Sequence, residues 1–313
     1  MQVRVGTFNL ENLFLRYKFG KTIKGTKPAK KVDPDEFVKK GGTILGFSFA
    51  LEAFGPIDPV QRSMTAKVVV ENEPEFLVCC EVENLDALRQ FNEKYLKAKR
   101  FPHAILIDSR DPRLIDVGVL SRHPITRVRS YMDETNDSGT RIFARDCLEV
   151  DIAPASGKTL TIYANHLTSM LSDKDGHRRL PQARKVHEIV RTRFGDQPAP
   201  YLIAGDLNAP PETEEIKELL KLPVANVVKR MSAAEQWTHA YKNKPGPHDA
   251  ELQQLDYLLV SQSVAGGATT KPTIERRGLS GDIKNYTGSR FAGVKGDGTE
   301  ASDHCGVFFD VTL

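Results

Sequence analysis

Short apolar runs that end on a polar side chain recur along this 313-residue chain. Val3 to Phe8 alternates as Val-Arg-Val-Gly-Thr-Phe, which predicts a strand delivering Asn9, Glu11 and Asn12 to its C-terminal end. Glu75-Phe-Leu-Val-Cys-Cys-Glu81 reads as a buried strand that stops on a carboxylate. Tyr201 to Ala204 reads the same way, because a short apolar run bounded by turn signals suits a sheet covered on both faces. It opens into Gly205-Asp206-Leu-Asn208-Ala-Pro-Pro211, where the glycine permits close approach of backbone or ligand. Asp206 and Asn208 are two residues apart, so on an extended backbone both side chains point the same way. Further strands are expected at His103 to Ile107, Val117 to Ser121, Leu255 to Ser261 and Cys305 to Leu313. Ala144 to Ile152 and Thr159 to Ala164 form a hairpin around Pro154-Ala-Ser-Gly157, and the second arm ends in Asn165-His166.

Helical spacing is rarer. Pro59 to Asn72 is one candidate, stopped by Pro74, and Leu85 to about Lys99 is another. Leu180 to Phe194 repeats Val186, Ile189 and Val190 on one face, with Gly195 as a stop, and a helix with an acidic first turn follows Pro211 as far as about Leu222. Strands outnumber helices and several are antiparallel. That favours a four-layer α/β sandwich, two packed mixed β-sheets flanked by helices, over a parallel doubly wound sheet.

Two stretches fit neither period. Residues 13–59 carry Lys18, Lys21, Lys24, Lys27, Lys30 and Lys31 near Tyr17 and Phe19, then a glycine-rich aromatic segment. Residues 264–300 are glycine-rich and hold Arg276, Arg277, Lys284, Arg290 and Lys295. Both are read as long loops on a single domain spanning residues 1–313. Lysines interleaved with aromatics suit a polyanion, and they suit a solvated flap equally well.

Composition narrows the classes. Lys plus Arg is 44 against 41 Asp plus Glu, and a net charge of +3 does not announce a nucleic-acid binder, so any basic character is local. No apolar stretch is long enough to span a membrane and no secretory leader pattern opens the chain, so a monomer in the cytoplasm is expected. The four cysteines, two of them adjacent at Cys79-Cys80, have neither zinc-site nor disulfide-framework spacing and read as buried thiols in a reducing compartment.

Asn9, Glu81, His166, Asp206, Asn208, Asp256, Asp303 and His304 all stand at predicted strand ends. Groups so few in type and so far apart in sequence suggest one rim where a rigid scaffold brings them together. Carboxylate and carboxamide oxygens suit Mg²⁺, Mn²⁺ or Ca²⁺, and no Cys-His grouping favours zinc. An Asp beside a His fixes the imidazole tautomer and supports its protonated form. A neutral Asn can hydrogen-bond a phosphate without adding repulsive charge.

Thr7-Phe-Asn9-Leu-Glu-Asn12, Cys80-Glu81-Val-Glu-Asn84, Asp116-Val-Gly-Val-Leu-Ser-Arg122, Asn165-His166, Gly205-Asp206-Leu-Asn208, Leu255-Asp256-Tyr257 and Ser302-Asp303-His304 resemble successive motifs of the endonuclease/exonuclease/phosphatase superfamily. The motifs follow the superfamily's order over nearly the whole chain, and the Glu81 and Asp116 strings resemble a bacterial nuclease-like subgroup of its deoxyribonuclease I branch. The resemblance implies a four-layer sandwich that cleaves phosphoesters with a divalent metal. By position it makes Glu81 the principal metal carboxylate, Asn9 a ligand near the metal or the scissile phosphate, and Asp303 the group that completes the metal shell. It makes Asp206 and Asn208 the groups that orient water and phosphate, and His304, held by Asp256, the histidine that acts on the phosphate or as a base. His166 resembles a second histidine with Asp116 as its acidic partner, and Arg145 a phosphate-contacting arginine beside Asn12 on the substrate side. Nucleic acid is the substrate the resemblance favours. The alternative is a phosphatase or phosphodiesterase of a lipid or small-molecule phosphoester, since one scaffold hosts many activities.

Overall fold

Strands buried on both faces dictate the architecture. The structure, a computed structural model, describes residues 1–14, 59–195, 197–240, 252–266, 270–284 and 286–313, together with the backbone of short strand pairs within 18–55. The lysines between 18 and 31 carry no described side chains, so the polyanion reading of that loop lies outside the described residues.

The strands that build the two large sheets are β1 (Gln2–Leu13), β2 (Phe76–Val82), β3 (His103–Leu106), β4 (Asp116–Ser121), β5 (Ile125–Ser130) and β6 (Cys147–Ile152), then β7 (Leu160–His166), β8 (Tyr201–Asp206), β9 (Val224–Asn226), β10 (Asp256–Ser261), β11 (Thr273–Glu275) and β12 (Gly306–Thr312). The helices are α1 (Pro59–Asn72), α2 (Leu85–Phe91), α3 (Arg179–Phe194) and α4 (Glu214–Leu219). The first sheet has the order β11-β12-β1-β2-β4-β3 and the second β9-β10-β8-β7-β6-β5. In each sheet one central pair is parallel, β1 with β2 and β7 with β8, and every other pairing is antiparallel. The two sheets therefore share one plan.

Alternation along each strand sends its side chains into two different layers. Val3, Val5, Val78 and Cys80 of the first sheet meet Leu148, Val150, Leu202, Ala204, Leu258 and Val260 of the second in a central apolar layer. The opposite faces pack outward: Phe8, Leu10, Leu77 and Cys79 lie with Val68 and Leu88 of α1 and α2, and Tyr201, Ile203, Tyr257 and Leu259 with Val186, Ile189 and Ile216 of α3 and α4. Three apolar layers between four layers of structure bear out the expected α/β sandwich. A cavity-forming change such as Leu202→Ala in the central layer would cost about 2 to 5 kcal/mol. Cys79, Cys80, Cys147 and Cys305 are buried and free.

Some boundaries differ from the expectation. Regular α-helix ends at Phe91 instead of running to Lys99, and a π turn over Asn92–Leu96 and a 3-10 turn follow. The cause is Asn92, which turns inward and exchanges two hydrogen bonds with the Phe101 backbone, at 2.9 and 2.8 Å. Helix α4 stops at Leu219, earlier than expected. β5, an edge strand whose Ile-Thr-Arg-Val-Arg-Ser alternates, was not anticipated. Nor was β11, inside the long glycine-rich loop.

Candidate active site

Parallel pairs at the centre of both sheets bring four positions to one rim: Asn9 within β1, Glu81 near the end of β2, and His166 and Asp206 at the ends of β7 and β8. Ligand-binding groups collect where parallel strands end because helices and loops leave a crevice there.

On the first sheet the backbone is bent to build this rim. The β1–β2 register slips between Asn9 and Leu13, and the β2–β4 register slips between Cys79 and Val82. Glu11, Asn12 and Glu81 adopt φ of 47°, 57° and 61°. Such conformations are uncommon for residues with a side chain, and they re-aim the chain at a bulge. Arg62 of α1, itself buried, holds the bend by donating to the carbonyls of Leu10, Glu11 and Asn12 at 2.8, 3.1 and 3.3 Å. The turn then presents the Asn12 amide to Glu81 Oε2 at 3.0 Å, and the Glu11 amide to Asn9 Oδ1 at 3.1 Å. Burial, followed by the nearby charge of Asp303, raises the Glu81 carboxyl above its ordinary range.

On the second sheet Gly205 sits at φ 137°, where an added Cβ would lie 1.8 Å from the Asn165 carbonyl oxygen. The close approach is therefore between β7 and β8 themselves. Asp206 remains within β8, and Asn208 lies beyond it at φ 48°. Strand alternation accordingly does not align the two, as the sequence had suggested. A turn does, in which the Asn208 amide donates to Asp206 Oδ1 at 2.9 Å while Asn208 Nδ2 donates to the Leu167 carbonyl at 3.1 Å. Asp206 Oδ2 accepts from Asn9 Nδ2 at 3.1 Å, which joins the two sheets at the rim.

His304 Nδ1 lies 2.9 Å from Asp256 Oδ2, and its Nε2 lies 3.8 Å from Asp206 Oδ2. Thr238 fixes Asp256 by donating its hydroxyl to Oδ2 at 2.7 Å while accepting the Leu255 and Asp256 amides, each at 3.0 Å. Ser302 fixes the other partner: its hydroxyl donates to the Asn9 carbonyl at 2.7 Å and accepts the His304 amide at 3.0 Å. Burial works against a charge on His304, but Asp256 and Asp206 outweigh it and raise its pKa well above the ordinary value. Burial pushes Asp206 up to about 7 in spite of the opposing pull of His304. His166 Nε2 stands 3.5 Å from Asp206 Oδ2, and burial, then the charge of Arg145, lowers its pKa well below the ordinary value.

The assignment of Asp116 as the partner of His166 does not hold. Asp116 Oδ1 accepts from the amide of Ser109 at 3.1 Å and from its hydroxyl, because the 108–113 turn folds back over β4. Asp206 is the carboxylate beside His166. Arg145 does reach the site: its Nε donates to Asp111 Oδ2 and its Nη1 to the Leu167 carbonyl, both at 2.9 Å. Its charge and that of Arg113 bear on Glu81 and on His166. In the 264–300 loop, Arg276 lies over Trp237 and donates to the Glu235 and Trp237 carbonyls, Arg277 pairs with Glu275 and Glu71, and Arg290 binds four backbone carbonyls. These contacts of the arginines brace the loop.

The oxygens of Glu81, Asn9 and Asp303 fit a hard divalent cation. Glu81 and Asp303 are close enough for the charge of one to raise the pKa of the other, and Asn9 Oδ1 keeps a second lone pair beside its single bond to Glu11. Thr238, Arg62, Asp111 and His239 all lie at or behind the rim and escaped the sequence reading. His239 occupies a two-residue strand paired with Leu252–Gln253, too short to leave a period.

Among curated proteins none matches the chain by sequence. Solved structures do match in fold. TDP2 from C. elegans is similar with a TM-score of 0.60 at 14% identity, over 100% of this chain and 76% of that one. The human Nocturnin catalytic domain, solved with a bound sulfate anion, has a TM-score of 0.59 at 13% identity over 99% and 94%. An endonuclease/exonuclease/phosphatase from Beutenbergia cavernae DSM 12333 has 0.58 at 16% identity over 100% and 72%. The endonuclease/exonuclease/phosphatase family itself matches residues 57–312, the greater part of the sequence, and the chain belongs to that family.

Proposed function

We propose that the protein is a divalent-metal-dependent phosphodiester hydrolase that cleaves nucleic acid by in-line attack of an activated water. The observation that carries this reading is the buried His304–Asp256 pair facing Asp206, next to the oxygen cluster of Glu81, Asn9 and Asp303. A cation held by that cluster, Mg²⁺ or Mn²⁺ by its oxygen donors, would neutralise charge on a phosphate oxygen. The rest of the work falls to the chain's own groups. Asp206 is buried, is poised near neutrality and receives hydrogen bonds from Asn9 and Asn208, so it can orient a water and take its proton. His304 is kept protonated by Asp256 and so offers a positive N–H to a phosphate oxygen. His166 stays neutral and can accept or donate without adding charge, and Arg145 stands behind it, fixed by Asp111.

The family supports phosphoester hydrolysis, and three features favour nucleic acid within it: the Gly-Asp-Leu-Asn-Ala-Pro form, the pair of histidines, and the Arg113 and Arg145 charges that bear on Glu81 and His166. The competing substrate is a lipid or small-molecule phosphoester. Plasmid DNA, single-stranded DNA and RNA, tested beside phosphomonoesters and phospholipids with Mg²⁺ and with Mn²⁺, separate the two. Cleavage is expected on a polynucleotide, abolished by chelator and restored by either ion. Glu81→Gln should lower turnover by about 10³-fold or more, since a lost metal ligand removes several kcal/mol of transition-state stabilisation. Full activity in excess EDTA would refute the metal mechanism, and hydrolysis confined to phospholipids would refute the substrate.

A further inference from the structure

One grouping at the rim differs in chemistry from the oxygen cluster. His239 and His304 are joined by an isolated antiparallel bridge, which fixes their backbones side by side, and their rings lie 4.5 Å apart at 54°. Asp303 completes a triangle with them: His239 Nε2 is 3.8 Å from Asp303 Oδ2, and one ligand atom from each residue lies within 4.8 Å of the others. Around a tetrahedral zinc, with bonds of about 2.0 to 2.2 Å, ligand atoms sit about 3.3 to 3.5 Å apart. Closing the triangle needs small side-chain movements. Asp303 has the room to make them, because its side chain is 34% exposed whereas that of His239 is 8% exposed. Asp256 engages Nδ1 of His304, which leaves Nε2 as the nitrogen that His304 can offer once an ion displaces its proton.

We propose that His239, Asp303 and His304 form a second cation site, selective for a borderline ion such as Zn²⁺, whose occupation blocks the hydrolytic site. Two imidazoles and one carboxylate favour Zn²⁺ over Mg²⁺, which prefers oxygen alone. The site shares Asp303 with the oxygen cluster and His304 with the phosphate-directed pair. An ion bound there takes a carboxylate from the first and the reactive nitrogen from the second. Binding rests on the triangle alone, whereas the blocking rests on the function proposed above.

The test uses the full chain and Co²⁺ as a coloured substitute for zinc. Wild-type protein should develop the visible bands of a four- or five-coordinate nitrogen site, and Zn²⁺ should bleach them while Mg²⁺ does not. His239→Asn should weaken Co²⁺ and Zn²⁺ binding by at least about 10- to 100-fold. Each protein's hydrolysis rate in Mg²⁺ is then compared with and without added Zn²⁺; the wild-type ratio should fall steeply with Zn²⁺, and the His239→Asn ratio should shift to correspondingly higher concentrations. Should His239→Asn not fold, anomalous diffraction at the zinc edge from wild-type crystals decides, with a peak expected between the two rings. Bands absent or unchanged in His239→Asn, equal Zn²⁺ inhibition of both proteins, or a zinc peak elsewhere would overturn the proposal. Cobalt bands in a protein that cleaves none of the substrates would leave the site standing and defeat the hydrolase reading instead.

Discussion

Two groups of acids, one on the outer face of the second sheet and one at the rim where both sheets meet, are treated in opposite ways. On the outer face of β6, Glu149 receives Arg127, Arg193 and the Tyr131 hydroxyl, and Asp151 receives Arg193 at 2.8 and 2.7 Å and Thr161 at 2.7 Å. Burial alone would raise the Asp151 pKa, yet these donors bring it below the ordinary value. At the rim, by contrast, Asp206 and Glu81 are raised, and Asp256 Oδ1 is buried with no hydrogen-bond partner among the described residues. Arginines satisfy the first group and hold α3 to the sheet. The second has carboxylates beside carboxylates, relieved chiefly by one histidine. Acids left in mutual repulsion are the ones poised for a cation or a proton transfer.

Removing His304 should break this contrast most severely. His304→Ala should lower turnover by about 10² to 10⁴ with little change in melting temperature. Asp256→Asn should lower it as well, and the double variant should lose little more, because residues that act as a unit fail together. Additive losses, or a His304→Ala enzyme keeping more than about a tenth of wild-type turnover, would demote the pair to a loop fastener.

Arg193→Ala should do the reverse. It leaves Glu149 and Asp151 short of donors, so a loss of about 2 kcal/mol is expected in denaturant unfolding, with turnover per folded molecule near wild type. If activity fell while stability held, the outer network would belong to the chemistry after all.

The smallest effect concerns Asp116, which burial raises to about 6 from an ordinary 3.8. The folded chain holds this proton more tightly than the unfolded one, so this group's contribution to stability falls as pH rises between those two values. Asp116→Asn removes the titration and can still accept from Ser109. Melting curves taken between about pH 4 and about pH 7 should therefore show wild type losing more stability than Asp116→Asn. Parallel curves would mean that Asp116 ionises at its ordinary pKa in the folded chain.

The sequence betrayed the rim through sharp boundaries between apolar runs and single polar residues, which is why Glu81, His166, Asp206, Asp256 and His304 could be read in advance as strand-end groups, while the pairing of His304 with Asp256 came from the family resemblance. The layers followed from two-sided strands such as Tyr201–Asp206. What stayed hidden was whatever depends on non-local support. Nothing in Glu11-Asn12 advertises a positive φ, because that turn is held by Arg62 from a helix about fifty residues away in sequence. Asp116 carried a familiar string, but the turn that supplies Ser109 has no periodicity to reveal where it folds. His239 sits in a strand of two residues, and its neighbour across the bridge is His304, distant in sequence.

The closing strand has a consequence for how the protein is made. β12 lies against β1, pairing Val3 with Val311, and the Ser302 hydroxyl that seats His304 donates to Asn9, 293 residues earlier. Asp206 and Asp256 thus leave the ribosome before the histidine beside them. A nascent, stalled or proteolysed chain that lacks the segment beyond residue 300 has these carboxylates but neither Asp303 nor His304, so on the function proposed above a partly made molecule is a disarmed one.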